Sequence, residues 1–117
     1  MSLVPLGEAL HRLVDLEPNW DSYGALPPSR AALRHAWALA SMLVEHGLPI
    51  PQVFPTRSGG IQLEWHVTHA SLEWEIDASA ASGVFVFDHH VTGQRLDGEL
   101  PKDLDPLAEA LNLILCG

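Results

Sequence analysis

The segment "IQLEWHVTHASLEWEID", residues 61–77, decides the fold, because apolar and polar side chains alternate along two successive runs within it. Alternation with a period of two is typical of strands that bury one face. A short polar connection near Thr68 and His69 separates the runs, so the segment predicts a β-hairpin.

The register of this hairpin follows from its apolar pattern, because a slip of one residue would turn a whole apolar set toward water. Placing Trp65 opposite Leu72 makes every facing pair on that side apolar. The same register sets Glu64 opposite Glu73 on the other face, with Glu75 two residues further on. The prediction is therefore a hairpin with buried tryptophans and a carboxylate-rich opposite face.

The flanking segments predict helices. Apolar spacing predicts a first helix over residues 5–16, and a second that begins with Ser29 as N-cap and ends at Gly47. Asp105 as N-cap opens a last helix. The expected fold class is α+β, a single domain over residues 1–117. It comprises an antiparallel meander of three to five strands, with two N-terminal helices and one C-terminal helix packed on one face.

Three other segments complete the expected sheet. Prolines confine a strand near residues 52–54 to a short edge piece. The run "VFVF", residues 84–87, is apolar on both faces and predicts a strand covered on both sides. The segment "TGQRLDGEL", residues 92–100, predicts a short irregular strand.

Composition restricts the function classes. Six Lys and Arg against 15 Asp and Glu give a net charge of −9, which disfavours direct nucleic-acid binding and favours a basic protein partner. Acidity also simply keeps small proteins in solution. The single cysteine, Cys116, allows no internal disulfide, and neither a signal peptide nor a membrane span is indicated. We expect a cytoplasmic protein with no membrane partner.

The carboxylate face of the hairpin has three competing interpretations. Solvent and counter-ions screen Glu64, Glu73 and Glu75 and nothing more is meant, or the face docks a basic partner. Catalysis or metal binding by paired carboxylates is the third, although such work needs a pocket to shift a pKa.

The loop "NWDSYGALPP", residues 19–28, carries large aromatic side chains among turn-forming residues. Trp20 and Tyr23 are either buried as plugs at one end of the core or partly exposed as anchors for a partner. Asp21 is suited to an Asx-type turn between them.

Seven histidines raise a metal hypothesis. The meander would bring to one rim the residue types that zinc accepts, namely His66, His69, Asp88, His89 and His90. The objection is that His89 and His90 are adjacent and point to opposite faces in a continuing strand.

The motifs "NWDSYGALPPS", "VFPTRSGGIQLEW" and "LEWEID" together resemble a group of small, largely uncharacterised bacterial proteins. These share an NWD-x-YGA loop, a P-T-x-x-GG turn and an LEW strand, over roughly residues 19–77 of this chain. The resemblance implies a bacterial or phage-related, cytoplasmic origin, and it implies no particular reaction or cofactor.

The leading functional prediction is a non-enzymatic protein-binding module without a cofactor, acting as an inhibitor, antitoxin-like neutraliser or accessory subunit. It would bind through Trp20, Asp21 and Tyr23 of the loop together with the sheet carboxylates. Homodimerisation through an edge strand or the apolar helices is expected as well. The alternative is a metal-binding protein or metal-dependent hydrolase at the histidine rim.

Overall fold

A five-stranded antiparallel sheet with helices on one side forms the molecule, as a computed structural model that describes residues 2–116 shows. Along the chain the elements are α1 (Val4–Val14), α2 (Arg30–Glu45), β1 (Gln52–Pro55), β2 (Ile61–His66), β3 (Ala70–Ile76), β4 (Gly83–His89), β5 (Arg95–Leu100) and α3 (Leu104–Cys116). The strands pair in sequence order, β1-β2-β3-β4-β5. The predicted α+β meander is confirmed.

The hairpin of β2 and β3 has the predicted register. Trp65 lies opposite Leu72, and Glu64 lies opposite Glu73. Trp65 is fully buried and its indole Nε1 donates to the carbonyl of Pro49 at 3.0 Å. The buried positions alternate along both strands, which places every apolar side chain of the hairpin against the helices.

The helices cover one face of the sheet. α2 contacts β2 and β3, α1 contacts β1, and α3 contacts β3 and β5. At the start of α2, the Oγ of Ser29 accepts from the backbone N–H of Ala32 at 3.0 Å, as an N-cap does, and donates to the carbonyl of Ala78. This single hydroxyl therefore ties the second helix to the loop after β3.

Two predictions for the C-terminal part of the chain need correction. α3 begins at Leu104, so Asp105 lies inside the first helical turn instead of at the N-cap. β5 is a regular six-residue strand that pairs with β4 from Arg95 to Leu100, and the prediction of an irregular strand there is wrong.

The expectation for β4 is also wrong in one respect. Phe85 and Phe87 are fully buried under the helices, as the apolar run requires. On the other face, however, Val84 is 43% exposed and Val86 is half-buried, so β4 is covered on one side only.

Within residues 2–116, the helices are too short or too polar to cross a bilayer.

Candidate functional site

The sheet surface turned away from the helices is called the open face here. Residues that face one another across antiparallel strands point the same way, so the pairings order the side chains into transverse rows. The first row is Gln52, Glu64, Glu73, Val86, Asp97; the second is Phe54, Gln62, Glu75, Val84, Glu99; the third is His66, Ser71, Asp88, Arg95.

Carboxylates dominate the charge of the open face, with members on β2, β3, β4 and β5: Glu64, Glu73, Glu75, Asp88, Asp97 and Glu99. In these rows the sole permanent cation is Arg95, at one corner. Its Nη1 lies 3.6 Å from Asp88 Oδ1 and its Nε lies 3.5 Å from Asp97 Oδ2, with all three side chains exposed. Exposed ion pairs of this kind contribute little to stability, so most of the negative potential remains.

Glu64 is held by its neighbours on the same strand. Its Oε2 accepts from Gln62 Nε2 at 2.7 Å, and its Oε1 lies 3.1 Å from His66 Nε2. Glu73 and Glu75 are exposed, and neither takes part in a salt bridge within the described part of the chain. The predicted carboxylate group is therefore brought together, with Glu64 engaged and the other members facing solvent.

Valine side chains interrupt this acidic surface at its centre. Val84 stands between Glu75 and Glu99, and Val86 stands between Glu73 and Asp97. A shallow depression of about 150 Å³ lies over both valines and the adjacent glutamates of β3. The open face is thus an apolar centre flanked on both sides by carboxylates.

The aromatic loop is built around Asp21. Its Oδ1 accepts from the backbone N–H groups of Tyr23 and Ala25 at 2.8 and 3.0 Å, and its Oδ2 accepts from Arg57 Nε at 2.8 Å. Partial burial would raise the pKa of Asp21, but these backbone donors and the Arg57 guanidinium outweigh it and hold the pKa below its usual value of 3.8. The oxygens of Asp21 are therefore occupied by donors of its own chain.

The loop is also joined to the turn before β2 through the backbone. The N–H of Leu26 donates to the carbonyl of Arg57 at 2.8 Å, and that of Ser29 donates to Gly59 at 2.9 Å. Gly59 has a φ of 88°, and a side chain there would approach the Pro27 carbonyl to 3.3 Å. We call residues 19–29 and 55–60 together the loop–turn unit, because the two motifs form one hydrogen-bonded structure.

The loop aromatics have different environments. Trp20 is half-buried, and its Nε1 donates to the carbonyl of Leu26 at 2.8 Å. Tyr23 is 80% exposed, so the expectation that it plugs the core is wrong. Within the described chain, no salt bridge joins this loop to the open face. The partner-binding residues predicted from sequence therefore form two separate groups.

The histidines at the rim are only partly brought together. The rings of His69 and His89 have centroids 5.8 Å apart, while His66 lies on the open face beside Glu64. His69 Nε2 lies 3.2 Å from the Leu113 carbonyl, and His90 Nδ1 lies 3.3 Å from the Thr68 carbonyl. His89 Nδ1 accepts from two backbone N–H groups of its own turn. Across residues 2–116, no three or more His, Cys, Asp and Glu side chains are grouped so that they could hold a metal ion.

Sequence reasoning missed several contributors to these surfaces. Arg57 pairs with a residue 36 positions away, and no local pattern indicates that contact. Asp97 and Glu99 could have been found, because they alternate with Leu96, Gly98 and Leu100 at the period of a strand.

Comparison with known proteins returns no match to a family model, to a curated protein or to a solved structure. By its fold and its surface, the chain is an α+β meander protein whose sheet carries helices on one side and an acidic surface on the other.

Proposed function

We propose that the chain is a non-enzymatic protein-binding module, and that its open face docks a basic surface of a partner protein. It would serve as an inhibitor, an antitoxin-like neutraliser or an accessory subunit in the bacterial cytoplasm. The observation that carries the proposal is the uncovered side of the sheet, where carboxylates flank the exposed Val84 and the half-buried Val86.

The charges of the open face favour a basic partner. Glu73 faces Glu64 directly across the ladder, an arrangement that weakens a strand pair unless a cation answers it. Arg95 answers Asp88 and Asp97 at one corner, and Glu73 and Glu75 have no such ion pair within the described residues. Lysine or arginine side chains of a partner would supply the missing countercharge and speed association.

The valines of the open face favour an apolar centre for the proposed contact. Stable interfaces combine an apolar core with a polar rim that excludes water. Val84 and Val86 provide a small apolar core, and the depression above them accommodates one or two apolar side chains. The partner segment that fits best therefore presents an apolar side chain with Lys or Arg on either side of it.

The flat shape of the open face supports binding over catalysis. General acid–base chemistry requires carboxylates whose surroundings shift their pKa, which a pocket provides. The depression over the valines holds about 150 Å³ and is bordered by exposed glutamates. Protein docking makes use of such a surface without a pocket.

Tyr23 offers a second contact. The loop–turn unit holds it at the surface with 80% of it exposed, and a side chain on an already ordered loop loses little entropy on binding. Tyrosine is among the residues that most often anchor interfaces. We include Tyr23 in the binding surface, with Trp20 and Asp21 maintaining the loop that carries it.

The test compares the partners that co-purify with the wild-type protein and with two charge-reversal variants from cells of its source. Glu73, Glu75 and Glu99 are changed to lysine together, and the matched control changes Asp15, Glu17 and Glu45, exposed residues at the helix ends, in the same way. The proposal predicts that a basic protein co-purifies with wild type and control and is lost from the open-face variant. Retention of every partner by the open-face variant, with its fold intact by circular dichroism, would refute the proposal.

Homodimerisation is part of the proposal and uses another surface. Val4 is 63% exposed and Trp37 is 41% exposed, and both line a shallow apolar depression between α1 and α2. Exposed apolar patches of this kind are typical of interfaces. A second copy of the chain, with the same patch, is the occupant we propose for it.

The metal alternative depends on the His69–His89 pair alone. A structural zinc site uses four ligands. In this pair, His69 Nε2 and His89 Nδ1 are already engaged by backbone groups of the chain. Elemental analysis of untagged protein tests this alternative, and one zinc per chain would place it ahead of the docking proposal.

A further inference from the structure

A separate cavity of about 330 Å³ opens between α2, α3 and the loops that follow β3 and β5. Its volume falls at the lower end of the roughly 300–1,000 Å³ that is usual for small-molecule sites. The wall is almost wholly apolar, with large contributions from Leu39, Trp74, Ile76, Leu100, Leu104 and Leu107.

The indole of Trp74 is the exception in this wall. Trp74 is only 7% exposed, yet its Nε1 has no acceptor within residues 2–116. Trp20 and Trp65 show the usual arrangement, since their Nε1 groups donate to carbonyls at 2.8 and 3.0 Å. A buried indole N–H normally finds a partner, so the unpaired group in Trp74 requires an explanation.

The free N–H belongs to a residue that lines the cavity. In the described chain, every fully enclosed side-chain nitrogen or oxygen has a hydrogen-bond partner. Because Trp74 Nε1 has none, this atom cannot be fully enclosed and must reach open space. Gly83 lies beside it and lines the same cavity, and a methyl group added at Gly83 would come within 3.6 Å of Nε1. The missing side chain of Gly83 therefore leaves the donor accessible from the cavity.

One wall of the cavity is held in place by Asp77. Its carboxylate accepts from the hydroxyls of Ser79, at 2.6 Å, and Ser82, and its backbone N–H donates to the Ser82 carbonyl at 3.1 Å. Those hydroxyl donors outweigh desolvation and hold the pKa of Asp77 below its usual value of 3.8. The loop of residues 77–83 is therefore ordered before any ligand arrives.

We propose that this cavity binds a small, neutral, apolar molecule that carries one carbonyl oxygen, and that the oxygen accepts a hydrogen bond from Trp74 Nε1. The apolar wall accounts for most of the affinity, and the indole fixes the orientation. Among the residues that the structure describes, neither Lys nor Arg lines the cavity, and His35 is its one titratable residue. Burying a carboxylate without a cation is costly, so a neutral acceptor fits the site better than an acid.

Nuclear magnetic resonance of ¹⁵N-labelled protein tests the proposal with benzophenone and diphenylmethane, which have similar shapes and differ by one carbonyl oxygen. Benzophenone is expected to shift the Trp74 indole N–H resonance downfield in a saturable way and to bind about fivefold more tightly than diphenylmethane, the effect of one net hydrogen bond. In protein that is also labelled with ¹³C, the methyl resonances of Leu39 and Leu107 should shift with it.

Trp74→Phe removes the donor and is expected to abolish the fivefold preference, whereas the control Trp65→Phe, which removes an indole outside the cavity, should retain it. The wild-type titration decides the matter even if Trp74→Phe does not fold. The proposal is overturned if benzophenone leaves the Trp74 resonance unmoved, or if its binding shifts map to the patch beside Trp37.

Discussion

Glu73→Lys is expected to stabilise the protein, although it changes an exposed residue of the open face. In the structure Glu73 lies directly opposite Glu64, and Asp97 lies one strand further away in the same row. Facing like charges weaken a strand pair, and an opposite-charge pair strengthens it, by about 0.2–1 kcal/mol each. Lysine at this position converts the first situation into the second.

The two effects together amount to about 0.4–2 kcal/mol, and the expected gain is about 0.5 kcal/mol, near the low end of that range. The existing contacts of Glu64 reduce this gain, because Gln62 and His66 already donate to the oxygens of Glu64. Exposure of Glu73 reduces it again, since solvent weakens ion pairs at a surface. With a urea m-value of about 1–3 kcal/mol per molar, the unfolding midpoint should rise by about 0.2–0.5 M.

Urea unfolding followed by tryptophan fluorescence measures this shift, and Glu17→Lys is the matched control. Glu17 is exposed after α1, so its reversal changes the net charge equally and leaves the sheet untouched. In about 1 M sodium chloride, where charges are screened beyond about 3 Å, the gain should disappear. A midpoint that falls, or a gain that survives high salt or appears equally in Glu17→Lys, would refute the argument that the ladder carries a repulsion.

Three further predictions concern other parts of the molecule. Because the folded-state pKa of Asp21 and of Asp77 lies below 3.8, both carboxylates stabilise the fold above that pH. Their contribution is lost as the pH falls through the lower folded-state pKa values, so the urea midpoint should decrease at pH values below about 4. The decrease should be less steep in Asp21→Asn, and an equal dependence on pH in both proteins would contradict this. Ser29→Ala should lower the free energy of unfolding by about 1–2 kcal/mol, since it removes the N-cap and the bond to the Ala78 carbonyl, whereas Ser29→Thr should recover most of it; calorimetry showing no loss would exclude a capping role. Trp37→Glu should shift sedimentation from dimer to monomer, and a wild type that sediments as a monomer at high concentration would remove the homodimer from the proposal.

The hairpin was predictable because its alternation leaves one register that buries every apolar residue, and Trp65 and Leu72 do face each other. The "VFVF" run has no such alternation, so nothing local reveals that Val84 is uncovered while Phe85 is buried. Whether a strand is covered on its second side depends on where helices elsewhere in the chain pack, and that information is not local.

Long-range contacts account for the rest of what sequence reasoning missed. The partner of Asp21 is Arg57, which belongs to another motif, and the environment of Trp74 depends on two helices and two loops. The patterns identified Trp20, Tyr23 and the glutamates as notable side chains. Their exposure and partners followed only from the tertiary arrangement.

The loop–turn unit constrains how the chain can vary over evolution. Asp21 and Arg57 form an ion pair although 36 positions separate them in the chain. Gly59 has no side chain, which allows the turn to approach the Pro27 carbonyl closely. A drift at either position would leave the other with an unmatched charge, so the two codons should change together or not at all. Homologues are expected to keep or lose the aspartate and the arginine jointly, even where the intervening helix diverges freely.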